Sequence, residues 1–179
     1  MNKAECKDIM DYTSFPEYDM IWCDPPWEDG MVKYFQTLNK KQTGRLVNNQ
    51  IDGILDTLFR LAHKGKPIVV EYSVKGHERV IKYAEKYGHQ HFHTTYAKQE
   101  NGITSVIIFF NTEFKLPDNV MGYANTILGV EGIGAKHVFD PFAGIGRTAR
   151  AVLKAGATYH GSELNESRYK KLCTILKLA

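Results

Sequence analysis

Apolar residues fall in short blocks along the chain, and the period inside each block says what it builds. Residues 18–23 (Tyr-Asp-Met-Ile-Trp-Cys) are mostly apolar and stop at Asp24-Pro25-Pro26, as a buried strand entering a loop does. Residues 28–49 are polar, carry Gly30 and Gly44 and show little periodicity, so they read as a loop. Ile51, Ile54, Leu55, Leu58 and Leu61 then recur at helical spacing, ending near Gly65 and Pro67. A strand is expected at 67–72 and a helix over about 76–87, with Val80, Ile81, Ala84 and Tyr87 inward.

Two β-rich runs, 89–97 and 103–111, flank Asn101-Gly102, which predicts an antiparallel hairpin. A helix over 119–130 follows, then a strand at 136–140 that runs into Gly144-Ile145-Gly146. The next helix turns Ala149, Val152, Leu153 and Gly156 to the sheet. Residues 157–162 form another strand, and a last helix from Glu166 buries Tyr169, Leu172, Cys173 and Leu176. Strands alternating with helices make this an α/β domain with a mainly parallel sheet.

Composition narrows the picture only a little. The 179 residues suit one domain, and 43% hydrophobic with 24% charged residues is an ordinary globular balance. A net charge of +3 and a pI of about 8.6 are compatible with a polyanionic partner without demanding one. The first five residues are charged where a signal peptide is apolar, and no apolar run nears the ~20 residues of a membrane span. Cys6, Cys23 and Cys173 are widely spaced and odd in number, as free thiols in a reducing cytoplasm are.

Two segments carry candidate chemistry. The first, Asp140-Pro141-Phe142-Ala143-Gly144-Ile145-Gly146-Arg147-Thr148, lies where a strand gives way to a helix. Glycines there admit close approach of a ligand to the backbone, and the helix start offers unpaired N–H groups. Glu163, at the end of the next strand, is placed to accept hydrogen bonds from ribose hydroxyls. The same spacing also satisfies the dinucleotide fingerprint. Asp140, a carboxylate suited to a methionine ammonium group, favours S-adenosylmethionine.

The second segment is Asp24-Pro25-Pro26-Trp27. Two prolines remove two N–H donors and leave carbonyls and the Asp24 carboxylate as acceptors beside a flat indole, which suits a planar ligand bearing an amino group. A capped Pro-Pro turn over a core Trp has the same composition.

Together the segments resemble the permuted (β-type) amino-methyltransferases of adenine and cytosine. That family's catalytic motif is Asp/Asn/Ser-Pro-Pro-Tyr/Phe/Trp, and its cofactor motif is similar to Asp-Pro-Phe-x-Gly-x-Gly-Thr. Residues 6–27 also resemble the family's approach to its catalytic loop, with Asp19, Ile21, Asp24, Pro25 and Pro26 matching. The resemblance covers nearly the whole chain and implies a Rossmann-like class I methyltransferase domain. It implies a roughly seven-stranded sheet with helices on both faces, the hairpin at one edge and the catalytic motif ahead of the cofactor motif.

It further implies a catalytic half over about 1–112 and a cofactor half over about 119–179. Asp24, Pro25, Pro26 and Trp27 are then catalytic. Asp140, Phe142, Ala143, Gly144, Gly146, Thr148, Glu163 and Asp24 bind S-adenosyl-L-methionine. The implied activity is methylation of adenine N6 in DNA, with the base flipped onto Trp27. No metal is required. Residues 112–122 are too few for the target-recognition domain of typical DNA-modifying members, which points to a homodimer, a partner subunit or relaxed specificity. Trp27 also resembles RNA adenine methyltransferases, whereas cytosine-N4 enzymes usually begin the motif with Ser.

Other features are less specific. Lys33, Lys40, Lys41 and Arg45, interleaved with Tyr34 and Phe35, read as a mobile nucleic-acid-contacting loop. His89, His91 and His93 alternate and so share one strand face, and Tyr72 is either a pocket wall or a core residue. A non-catalytic nucleic-acid-binding subunit has no need of both motifs, and a dinucleotide oxidoreductase leaves Asp24-Pro25-Pro26-Trp27 unexplained.

Overall fold

The computed structural model describes residues 1–43, 50–98, 102–117, 120–122 and 124–178, without the side chains of 39–43. In chain order the strands are β1 (Lys3–Glu5), β2 (Met20–Cys23), β3 (Ile68–Ser73), β4 (His91–Lys98), β5 (Thr104–Phe110), β6 (His137–Asp140) and β7 (Thr158–Ser162). The helices are α1 (Asp29–Thr43), α2 (Ile51–Leu61), α3 (His77–Lys86), α4 (Ala124–Ile133), α5 (Arg147–Lys154) and α6 (Glu166–Leu176), with a 3₁₀ turn at Ile9–Asp11.

The strands form one sheet in the order β1-β7-β6-β2-β3-β5-β4. β1 to β3 in that order are parallel, while β5 runs antiparallel to β4, as the Asn-Gly signal predicts, and also to β3. All four residues of β2 are buried, because a central parallel strand is covered on both faces. One core cluster joins α2 and α3 to Ile21, Val70 and Phe110. The other joins α4, α5 and α6 to Trp22, Val69 and Phe109 on the opposite face. On that second face a Cβ at Gly129 would lie 2.1 Å from the Trp22 ring, so glycine lets α4 close on the sheet.

Three expectations are corrected. Residues 29–43 are helix α1, because Met31, Val32, Phe35 and Leu38 make an apolar stripe beneath the polar composition. The helix expected at 119–130 begins at Ala124 and runs to Ile133. His91 and His93 do not share a face: a register shift between them pairs His91 with Phe110 and His93 with Phe109, on opposite sides of the sheet. The short strand β1 was not expected.

Candidate active site

The chain leaves β6 towards β7 and leaves β2 towards β3, so connections diverge on either side of the β6–β2 pair. Such a reversal opens a crevice beyond the carboxyl ends of the two strands. The Asp24 loop and the glycine turn meet there on one cavity of about 510 Å³.

Asp24, Pro25, Pro26 and Trp27 form one wall. The Trp27 Nε1–H donates to Asp24 Oδ1 at 2.6 Å, which fixes the indole edge, and the ring packs on the core beside α2. Asp24 opens onto this recessed, mostly apolar cavity. Desolvation, followed by the charge of Glu71, pushes its carboxyl up to about 8, with Asp140 adding and Arg147 opposing.

Phe142 and Gly144 form a second wall. Gly144 has φ +54°, and a Cβ there would meet nothing closer than the Phe142 carbonyl oxygen at 3.9 Å, so a larger side chain would take up cavity space. Gly146 has φ +87° for another reason: its Cβ would lie 2.7 Å from Ile175 Cδ1, and glycine is what lets α5 pack on α6. Ala143 is buried, and its N–H donates to the Ser162 carbonyl at 2.9 Å, holding the turn against β7.

Asp140 does not line the cavity. It is 1% exposed, accepts the Phe142 N–H at 2.9 Å on Oδ1 and the Tyr159 hydroxyl at 3.0 Å on Oδ2, and is also bonded by Thr148. Its oxygens brace the turn and bond Tyr159, and Thr148 shares that task. Burial raises its carboxyl to about 7.

Glu163 lies beyond β7 on the third wall, where it accepts the Asn165 N–H at 2.8 Å and burial raises its pKa. Two wall segments escaped the sequence reading. Lys7, Asp8 and Ile9 enter through the 3₁₀ turn, which Asp8 caps by accepting the Met10 N–H at 3.0 Å. Met31, Phe35 and Leu38 close the cavity from α1, and the Arg168 guanidinium sits 4.4 Å from the Phe35 ring centre. The i, i+4, i+7 spacing of those three was the available signal.

Lys33 is exposed on α1. Lys40 and Lys41 belong to the helix, but their side chains, and all of Arg45, lie outside the described residues. Tyr72 is fully buried in the core beside α2, and its hydroxyl, unpartnered among the described residues, ends at a smaller cavity of about 340 Å³ behind Trp27. His89 is structural, its Nε2 bonding the Phe59 carbonyl at 2.8 Å and its Nδ1 accepting from Asn111 Nδ2 at 3.0 Å. Among the described residues no cluster of His, Cys, Asp or Glu is placed to hold a metal ion, and no helix is long and apolar enough to cross a membrane.

No protein-family model and no curated protein matches the sequence. Solved structures do. The M1.HpyAVI–SAM complex is 15% identical with a TM-score of 0.72, covering 99% of this chain and 100% of that one. TTHA0409 of Thermus thermophilus, complexed with S-adenosyl-L-methionine, is 17% identical with a TM-score of 0.68, over 97% and 92%. The cytosine-N4-specific PvuII DNA methyltransferase is 11% identical with a TM-score of 0.66, over 96% and 85%. The chain has the class I methyltransferase fold in its circularly permuted order.

Proposed function

We propose that this chain transfers the methyl group of S-adenosyl-L-methionine to N6 of adenine in DNA. The observation that carries the reading is the single cavity that joins Asp24-Pro25-Pro26-Trp27 to Gly144 and Glu163, segments far apart in sequence. The likeness to two structures that hold the cofactor, and to a DNA methyltransferase, supports it.

The cavity fits the cofactor. Its volume of about 510 Å³ falls within the ~300–1,000 Å³ of small-molecule sites, and its lining is chiefly apolar. Bound there, S-adenosyl-L-methionine supplies a methyl group on a cationic sulfonium. Gly144 allows the ligand to approach the backbone, Glu163 accepts from ribose hydroxyls, and Ile9 and Phe142 offer apolar surface. The Asp24 carboxylate and the Pro25 carbonyl accept the two N–H bonds of the target amine, drawing its lone pair out of conjugation with the ring. Trp27 stacks on the extruded base. Positioning and fixed acceptors supply the catalysis, with no protein nucleophile.

Adenine is favoured over cytosine by Asp24 at the head of the motif. RNA is the second reading, favoured by Trp27 in place of tyrosine. With only 111–123 between β5 and α4, recognition is limited to a very short site unless a second copy or a partner subunit adds contacts. The test is incubation with isotopically labelled cofactor and separate DNA and RNA pools, followed by nucleoside mass spectrometry. Labelled N6-methyladenosine from RNA alone would replace DNA with RNA as the substrate. Label in no nucleoside would overturn the function.

A further inference from the structure

The carboxyl edge of the sheet carries an acid that the reaction above does not use. β2 and β3 are parallel with Cys23 opposite Val70, so the next residues along stand side by side: Asp24, the first residue past β2, and Glu71, still within β3 and paired with Ile107. Glu71 is held in place: the hydroxyl of Ser105, a fully buried residue of β5, donates to its Oε1 at 2.7 Å. Ser105 is fixed in turn by pairing with Ser73 of β3. Asp24 is anchored from its other side by the Trp27 indole at 2.6 Å. Two carboxylates are thus brought together by independent tethers.

We propose that Glu71, held by Ser105, is a positioning residue that acts through Asp24 and makes it the proton acceptor of the reaction. The inference rests on the methyl-transfer reading. As the amine nitrogen bonds to the methyl carbon, the C–S bond pair leaves on sulfur as a neutral thioether, and the nitrogen carries one proton too many. That proton passes to Asp24. The cationic nitrogen is a far stronger acid than a carboxylic acid, so a carboxylate accepts the proton downhill, and a second negative charge beside Asp24 raises its affinity for the proton further. The groups facing Asp24 are Glu71 from β3, Asp140 from β6, Arg147 from α5 and the Trp27 indole from its own loop; of the charges, Glu71 acts most strongly. Asp24 accordingly titrates above the ordinary carboxylate range, and transfer falls off as pH drops below that point.

Trp27 offers a readout independent of activity, because its N–H bonds directly to the titrating carboxylate. Tryptophan fluorescence of the ligand-free protein is followed against pH for wild type, Asp24→Asn, Glu71→Gln and Ser105→Ala. The wild-type curve shows a transition above the ordinary carboxylate range that Asp24→Asn abolishes. Glu71→Gln keeps an acceptor for Ser105 and moves the transition down by about one pH unit. Ser105→Ala, which frees the charge from its tether, moves it the same way by less. The acid limb of the kcat profile follows the fluorescence midpoint in each variant.

A wild-type transition in the ordinary carboxylate range, or an unchanged midpoint in folded Glu71→Gln, overturns the proposal. If Glu71→Gln does not fold, an unchanged midpoint in Ser105→Ala overturns it. Coupled titration in a protein that methylates no nucleic acid upholds the pairing of the two acids and overturns the methyl-transfer reading instead.

Discussion

Gly144 and Gly146 stand two residues apart and answer to different neighbours. The space beside Gly144 is cavity, whereas the space beside Gly146 is filled by Ile175 and Leu172 of α6. Gly144→Val is expected to abolish cofactor binding, with a stability cost from its positive φ but none from overpacking. Gly146→Ala should instead destabilise the fold by about 1–3 kcal/mol through overpacking and positive φ. Calorimetric titration of both variants, with denaturant unfolding, checks the split; a Gly144→Val protein that binds normally would show that the cavity is not the cofactor site. The sequence shows both glycines equally and cannot tell them apart, because the distinction lies in α6, far along the chain. Asp140 is the same lesson in reverse. Its place at the end of a strand suggests a ligand, but gives no sign of its bonds to Tyr159 and the Phe142 N–H, which become its neighbours only once the sheet has formed.

Elements with a strong period were legible and weak ones were not. The stripe of α2 and the Asn-Gly hairpin stand out because burial demands them, and both are present. β1 is three residues on the sheet edge, Ala4 on the core between the polar Lys3 and Glu5, too short to show a pattern. The bulge in β4 that separates His91 from His93 leaves no mark on alternation. α1 hid its stripe among polar residues; Val32 joins the core, while Met31, Phe35 and Leu38 face the cavity, which gives the helix a functional reading. Phe35 contacts both the cavity and Arg168, so Phe35→Ala should weaken cofactor binding by about tenfold, the loss of ~1.4 kcal/mol of apolar contact. The α2 and α3 packing, and hence the far-ultraviolet circular dichroism, should be little changed. Undiminished affinity in the calorimeter would mean that α1 is only a cover.

At the scale of the whole molecule, the site is held at a cost to stability. Asp24 keeps its proton up to about pH 8 in the folded chain but releases it near ~3.9 when unfolded. Between those values the native state binds more protons, so this group's contribution to stability falls as pH rises through the window. Asp24→Asn cannot ionise and should gain stability relative to wild type between about pH 5 and pH 8, read as a widening difference in denaturant midpoint. A difference that stays constant over that range would mean that Asp24 titrates normally.

The proposed reaction depends on Asp24 standing at the reaction centre of the cavity that binds the cofactor. Single-turnover methyl transfer from pre-bound, labelled S-adenosyl-L-methionine to an oligonucleotide with an unpaired adenine tests this most directly. Pre-binding removes cofactor affinity from the measured rate, and the unpaired base removes the work of extrusion. Asp24→Ala should keep most of its cofactor affinity and transfer the methyl group about 10²–10³-fold more slowly. Transfer by Asp24→Ala at a near-normal rate would contradict the account.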